Sequence, residues 1–82
     1  MDKYKIGMSA MSLAGHDAGK VYLIFKVHDN YVELVDGKIR TLDHPKKKKK
    51  KHIQIIKEQY DIAAADDVAI KRILKVRDKS AK

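Results

Sequence analysis

A chain of 82 residues permits one small domain with a thin core. It has no cysteine, which excludes disulfides and thiolate zinc sites, and its aromatics are four Tyr and one Phe. The formal net charge of +8 is unevenly placed: residues 1–45 carry five Lys and one Arg against five Asp and one Glu, while residues 46–82 carry eleven Lys and two Arg against four Asp and one Glu.

The first half therefore sums to zero and the second holds the whole excess, a balance suited to a polyanionic partner. No apolar run approaches the length of a membrane span, and the opening residues lack a signal-peptide core. The expectation is a soluble, cytoplasmic protein with no membrane partner, monomeric when free.

Residues 1–5 are polar and read as a flexible start. Ile6 to Leu13 is a candidate strand of poor alternation, since Met8, Ala10, Met11 and Leu13 do not share a face. Such a strand is buried on both sides where a barrel closes, and Gly7 eases a bend there. Ala14 to Lys20 reads Ala-Gly-His-Asp-Ala-Gly-Lys, a loop with two glycines four apart. It is either a plain connector or a tight loop whose amides approach a phosphate backbone. It lacks the spacing of a Walker loop.

Leu23 to Thr41 carries the clearest pattern, a three-stranded meander over Val21–Val27, Tyr31–Val35 and Lys38–Leu42. Asp29-Asn30 and Asp36-Gly37 supply the turns. With two-residue loops, Val27 faces Val32, Phe25 faces Leu34 and Leu34 faces Ile39 on an apolar face. Lys26, Glu33 and Arg40 align on the other face, one acid between two bases. Tyr22 and Ile24 fall on that outer face, where they contact a partner or lie under a helix.

His44-Pro45 ends the meander. The six lysines Lys46 to Lys51 repel one another and are expected to be extended and mobile without a counter-ion. They read as a solvated linker, a phosphate-neutralising arm or a nuclear-targeting signal, and the arm is favoured because it lies between two strands. His52 to Ile56 is a fifth strand, and Lys57 to Ala65 a connector. Asp66 to Lys79 is a helix with Ile70, Ile73 and Leu74 on one stripe, acids at its start, bases at its end, and Asp67 and Lys71 as a same-face pair.

Five short strands with a central meander suggest a small, partly open barrel. Leu13 to Lys20 with the alternating strand to Val27, then Val35-Asp36-Gly37-Lys38-Ile39-Arg40, then Pro45 to Lys51 with His52-Ile53-Gln54, resemble bacterial KOW-domain RNA-binding proteins. Those are similar in turn to the archaeal and eukaryotic large-subunit ribosomal protein fourteen-e. The resemblance covers about residues 6–56 and implies a mainly β fold, an SH3-like five-stranded partly open barrel over 6–57. A connector and C-terminal α-helix packed on the barrel then occupy 58–82.

It also implies RNA binding, with structured ribosomal RNA of the large subunit as partner. In such modules the loop joining the first two strands lies against RNA, which points to Ala14, Gly15, His16, Asp17 and Lys20. Relatives commonly carry Arg or Lys where His16 and Ala18 stand, so this loop is less basic. The further candidate RNA contacts are His28 and Asn30 in the first turn, Lys38 and Arg40, Lys46, Lys47, Lys48, Lys49, Lys50 and Lys51, and His52.

Catalysis has little support. No carboxylate pair has a plausible shared site, and His16, His28, His44 and His52 lack ligand spacing, so neither a metal nor any other cofactor is implied. Few aromatics are available for stacking, which favours structured or double-stranded RNA over a single strand. The alternative is an SH3-like protein-interaction module in the translation or transcription machinery, presenting Tyr22 and Ile24.

Overall fold

The computed structural model describes residues 3–80, with the side chains of Lys57, Asp78, Lys79 and Ser80 left aside. Met1, Asp2, Ala81 and Lys82, at the two extremes of the expected flexible start and helical end, lie outside the described residues. Five strands, β1 (Met8–Ser12), β2 (Val21–Val27), β3 (Tyr31–Val35), β4 (Lys46–Lys49) and β5 (Ile53–Gln59), form one antiparallel sheet in the order β4-β3-β2-β1-β5. The sheet curls into an SH3-like, partly open barrel. A single 3-10 turn, Lys50–His52, joins β4 to β5, and helix α1 (Asp67–Ser80) ends the described chain.

The sheet is apolar on both faces because it has two things to cover. Ala10, Tyr22, Ile24, Val32, Leu34 and Ile53 fill the barrel interior. Leu23, Val35, Ile62, Ile70 and Leu74 form a second core where α1 packs on the outside of β2 and β3. β1, between β2 and β5, is buried on both sides: consecutive Ser9 and Ala10 are fully buried. The expected double burial of this strand therefore holds, although the strand is shorter than Ile6–Leu13 and Leu13 is exposed.

Gly7 takes φ +90°, and a Cβ there would overlap the Tyr60 carbonyl oxygen. That close approach lets Gly7 N–H donate to Ile24 O and Tyr60 N–H donate to Gly7 O, both at 2.8 Å. Tyr4 packs against the interior cluster, so the ordered chain begins before residue 6.

Two expectations about the meander are corrected. The β2–β3 register begins as expected, with Val27 opposite Val32 and Lys26 opposite Glu33, but it shifts between Ile24 and Lys26. Phe25 is the extra residue, so Ile24, not Phe25, faces Leu34. The shift exchanges faces along β2: Tyr22 and Ile24 lie inside the barrel, and Leu23 and Phe25 lie under α1.

The second correction is that Lys38–Leu42 is not a strand; the third strand of the meander is the lysine run itself. Asp36 explains this. Its Oδ1 accepts the backbone N–H groups of Lys38 at 2.8 Å and Arg40 at 2.9 Å, and its own N–H donates to Arg40 O at 2.8 Å. Residues 36–40 thus close on themselves, their amides diverted from any ladder. Ile39, at the tip, is 73% exposed instead of facing Leu34.

Gly37, with φ +78°, serves a close approach and not a two-residue hairpin: a Cβ there would overlap the Asp67 carbonyl oxygen and stand 2.8 Å from Lys71 N. The 36–40 turn is therefore the seat of the start of α1. Asp66 caps that helix by accepting Ala69 N–H at 2.9 Å. Asp67 accepts Leu42 N–H at 2.8 Å, and no Asp67–Lys71 ion pair occurs among the described residues. β5 extends through Gln59, so Lys57–Gln59 belongs to the barrel and not to the connector.

Candidate nucleic-acid interface

Six identical residues have no period of their own, yet the sheet imposes one. Lys46 and Lys48 stand opposite Leu34 and Val32, which face the barrel interior; Lys47 and Lys49 stand opposite Glu33 and Tyr31, which face outward. Lysine is a poor strand former, so the alternation must be held by what each half meets. The inner pair extends its aliphatic stems along the barrel mouth and delivers its ammonium groups to Asp17.

Asp17, on the β1–β2 loop, is the hub of that contact. Its Oδ1 lies 3.1 Å from Lys48 Nζ and its Oδ2 lies 3.2 Å from Lys46 Nζ. Ser12 Oγ and Tyr22 OH each donate to it at 2.9 Å. Lys48 Nζ also donates to Ala14 O at 2.7 Å. Burial pushes the Asp17 carboxyl up, but the donors from Tyr22, Lys48, Ser12 and Lys46 outweigh it and hold it well below the usual carboxylate range. Burial and the hydrogen bond to Asp17 together push the Tyr22 phenol above its ordinary value. This cluster ties the loop to the edge strand across the barrel mouth.

The lysine run is accordingly a paired strand over Lys46–Lys49 and a 3-10 turn from Lys50, not a mobile arm, and its charge is divided. Lys46 and Lys48 are spent on Asp17. Among the described residues Lys47, Lys49 and Lys51 have no ion pair and are exposed. Lys47 Nζ lies 5.9 Å from the centre of the Tyr31 ring, and Lys50 Nζ lies 5.1 Å from that of Tyr4.

The aligned acid between two bases also survives in altered form. Lys26, Glu33 and Lys47 are neighbours across β2, β3 and β4, so Lys47 takes the place expected for Arg40. Glu33 Oε2 is 2.6 Å from His28 Nε2, and the His28 ring stacks on Tyr31 with centroids 4.3 Å apart and planes 15° from parallel.

The β2–β3 turn completes this face. Lys50 N–H donates to Asn30 O at 3.0 Å, which sets the turn against the 3-10 segment. Two shallow hollows flank Asn30, one of about 420 Å³ beside Lys49, Lys50 and Lys51, the other of about 460 Å³ beside Tyr31, Lys47 and Lys49. His28, Asn30, Lys47, Lys49 and Lys51 are thus brought to one surface.

The remaining candidates lie apart from it or point elsewhere. Ala14 and Asp17 face the inner lysines, while Gly15 and His16 are exposed at the loop tip. Lys20 reaches Asp36 Oδ2 at 2.9 Å, and Lys38 and Arg40 sit on the 36–40 turn beside α1. His52 O accepts Leu13 N–H at 2.8 Å, linking the 3-10 turn to the end of β1.

Tyr31 was missed by sequence reasoning. Its signal was its place directly after the Asp29-Asn30 turn, which becomes informative only once β4 is recognised as its neighbour. Tyr22 and Ile24, 2% and 0% exposed, are interior residues and offer a protein partner nothing. No helix among the described residues is long and apolar enough to cross a membrane. Comparison of the chain with protein-family models and with curated proteins finds no match.

Proposed function

We propose that this chain is a non-catalytic RNA-binding module acting in the cytoplasm on structured RNA, with large-subunit ribosomal RNA as the partner suggested by its resemblance to KOW-domain proteins. The observation that carries the reading is the outward half of β4: Lys47 and Lys49, continued by Lys51 in the 3-10 turn, exposed and without an ion pair among the described residues. A strand backbone that is already ordered loses little further entropy when its lysines meet phosphates, and the ammonium groups displace condensed counter-ions. Lysine offers a point charge without base-reading geometry, so these contacts give affinity and register more than sequence choice.

The His28–Tyr31 stack beside them adds a flat surface where an unpaired base at a bulge or loop can lie. The β1–β2 loop supports the surface by holding the inner lysines. The protein-interaction alternative loses its main support with the burial of Tyr22 and Ile24.

The test is sedimentation of cell extract. The full chain should travel with large ribosomal subunits, survive a moderate salt wash and be released by ribonuclease. Retention on a protein partner after complete nuclease digestion would overturn the reading.

A further inference from the structure

A second basic cleft lies away from the β4 face. It measures about 580 Å³ and lies between the β1–β2 loop, the 36–40 turn and α1. Lys20, Lys38, Lys71 and Lys75 supply its cations, and Val21 and Leu74 are its apolar wall. Asp36 is the one carboxylate among its lining residues. That carboxylate is already committed, to Lys20 and to the amides of Lys38 and Arg40.

Among the described residues, Lys38, Lys71 and Lys75 have no acidic partner. Asp67, the acid of the first turn of α1, is turned to Leu42 N–H instead. Lys71 and Lys75 are one helical turn apart, a spacing at which like charges oppose the helix. Lys38 is added to them from a turn locked by Asp36. Folding gains nothing from this convergence, whereas an anion would. Four ammonium groups less one carboxylate leave three positive charges in a cleft with an apolar wall, which concentrates the field.

We propose that this cleft is a second anion site, independent of the β4 edge, that takes a diphosphate group. Two linked phosphoryl groups carry about three negative charges near neutral pH, matching the cleft. The group can come from a free nucleoside diphosphate or from the terminal polyphosphate of an RNA strand. Lys20 of the β1–β2 loop and Lys38, both expected from the sequence to contact RNA, belong to this site. The two sites share no lysine, so each can fail without the other.

The experiment titrates the isotope-labelled full chain at physiological salt with inorganic pyrophosphate, adenosine diphosphate and inorganic phosphate, following backbone amides by NMR. The expected result is saturable shifts at Lys20, Lys38, Lys71 and Lys75. Affinity for either diphosphate should exceed that for inorganic phosphate by about tenfold. The double variant K71Q/K75Q keeps the aliphatic stems on an exposed helix face and should fold as the wild type, checked by its melting temperature. It should weaken pyrophosphate by about tenfold, while K47Q/K49Q leaves it within about twofold.

A hairpin RNA with a terminal triphosphate is compared with the same hairpin ending in a hydroxyl. A preference that K71Q/K75Q abolishes assigns the group to RNA ends; equal binding assigns it to free nucleotides. Shifts centred on β4, equal affinity for inorganic phosphate, or an unaffected K71Q/K75Q variant would overturn the proposal and leave the β4 reading intact.

Discussion

The division of the lysine run into two halves makes a quantitative prediction about salt. Were all six lysines to meet phosphates, counter-ion release at about 0.7 to 0.9 per contact would give a log–log salt slope of about 4 to 5. With Lys46 and Lys48 held by Asp17, the three outward lysines Lys47, Lys49 and Lys51 carry the contact and the slope falls to about 2 to 3. The perturbation is a pair of variants. K47Q/K49Q/K51Q removes three outward charges and should lower the slope by about 2 to 3 with little change in stability.

K46M/K48M keeps the stems but strips Asp17 of both cations. It should leave the slope nearly unchanged and cost about 3 kcal/mol of stability, the scale for a poorly exposed carboxylate that loses its partners. Fluorescence anisotropy on a structured ribosomal RNA fragment across a potassium chloride series reads the slope, and urea unfolding reads the stability. If a folded K46M/K48M variant loses as much slope as K47Q/K49Q/K51Q, the two-faced strand is not how this chain meets RNA.

Three more outcomes follow from the same geometry. Asp17→Asn should cost about 2 to 3 kcal/mol in urea unfolding by uncoupling the β1–β2 loop from β4. Because the folded Asp17 carboxyl is held below its ordinary value, its contribution is complete above the unfolded pKa of about 4 and is lost as pH falls toward the folded one. Thermal melts should therefore drop on acidification below about pH 4, and less steeply in Asp17→Asn, Asp36 supplying a remaining slope of the same sign. Tyr31→Ala should weaken a bulged RNA by about 1 to 2 kcal/mol and a fully paired one much less, measured by anisotropy; equal losses would remove the stacking role. Gly37→Ala forces a Cβ into the start of α1 at positive φ, and should raise amide exchange throughout α1 while β1 and β2 stay protected.

How far the sequence carried depended on whether a residue's partner was near it in the chain. Val27–Val32 and Lys26–Glu33 were legible because a two-residue turn sets their register. The helix was legible through its apolar stripe and Asp66, and its start differs by one residue from the expectation. The bulge at Phe25 was not, since β2 is apolar on both faces and either alternation satisfies the pattern. Asp36-Gly37 misled because two demands share one signature: a hairpin turn and a Gly-mediated seat for a helix both need positive φ. The lysine run hid its alternation because identical residues cannot show one, and its inner half became visible only through Asp17, some thirty residues earlier in the chain.

A sheet that stops short of full closure leaves a border where a second copy could add a strand. One of the two borders here is β4, four residues of lysine alone, with alternate stems turned inward; the other is β5. An approaching duplicate would bring the same row of cations against it, and mutual repulsion would turn it away before any ladder formed. The β4 border is thus guarded against seeding fibrils. The protection lasts only while the charges do: acetylating these lysines, or screening them with strong brine, should be the treatment that makes solutions of it turn cloudy.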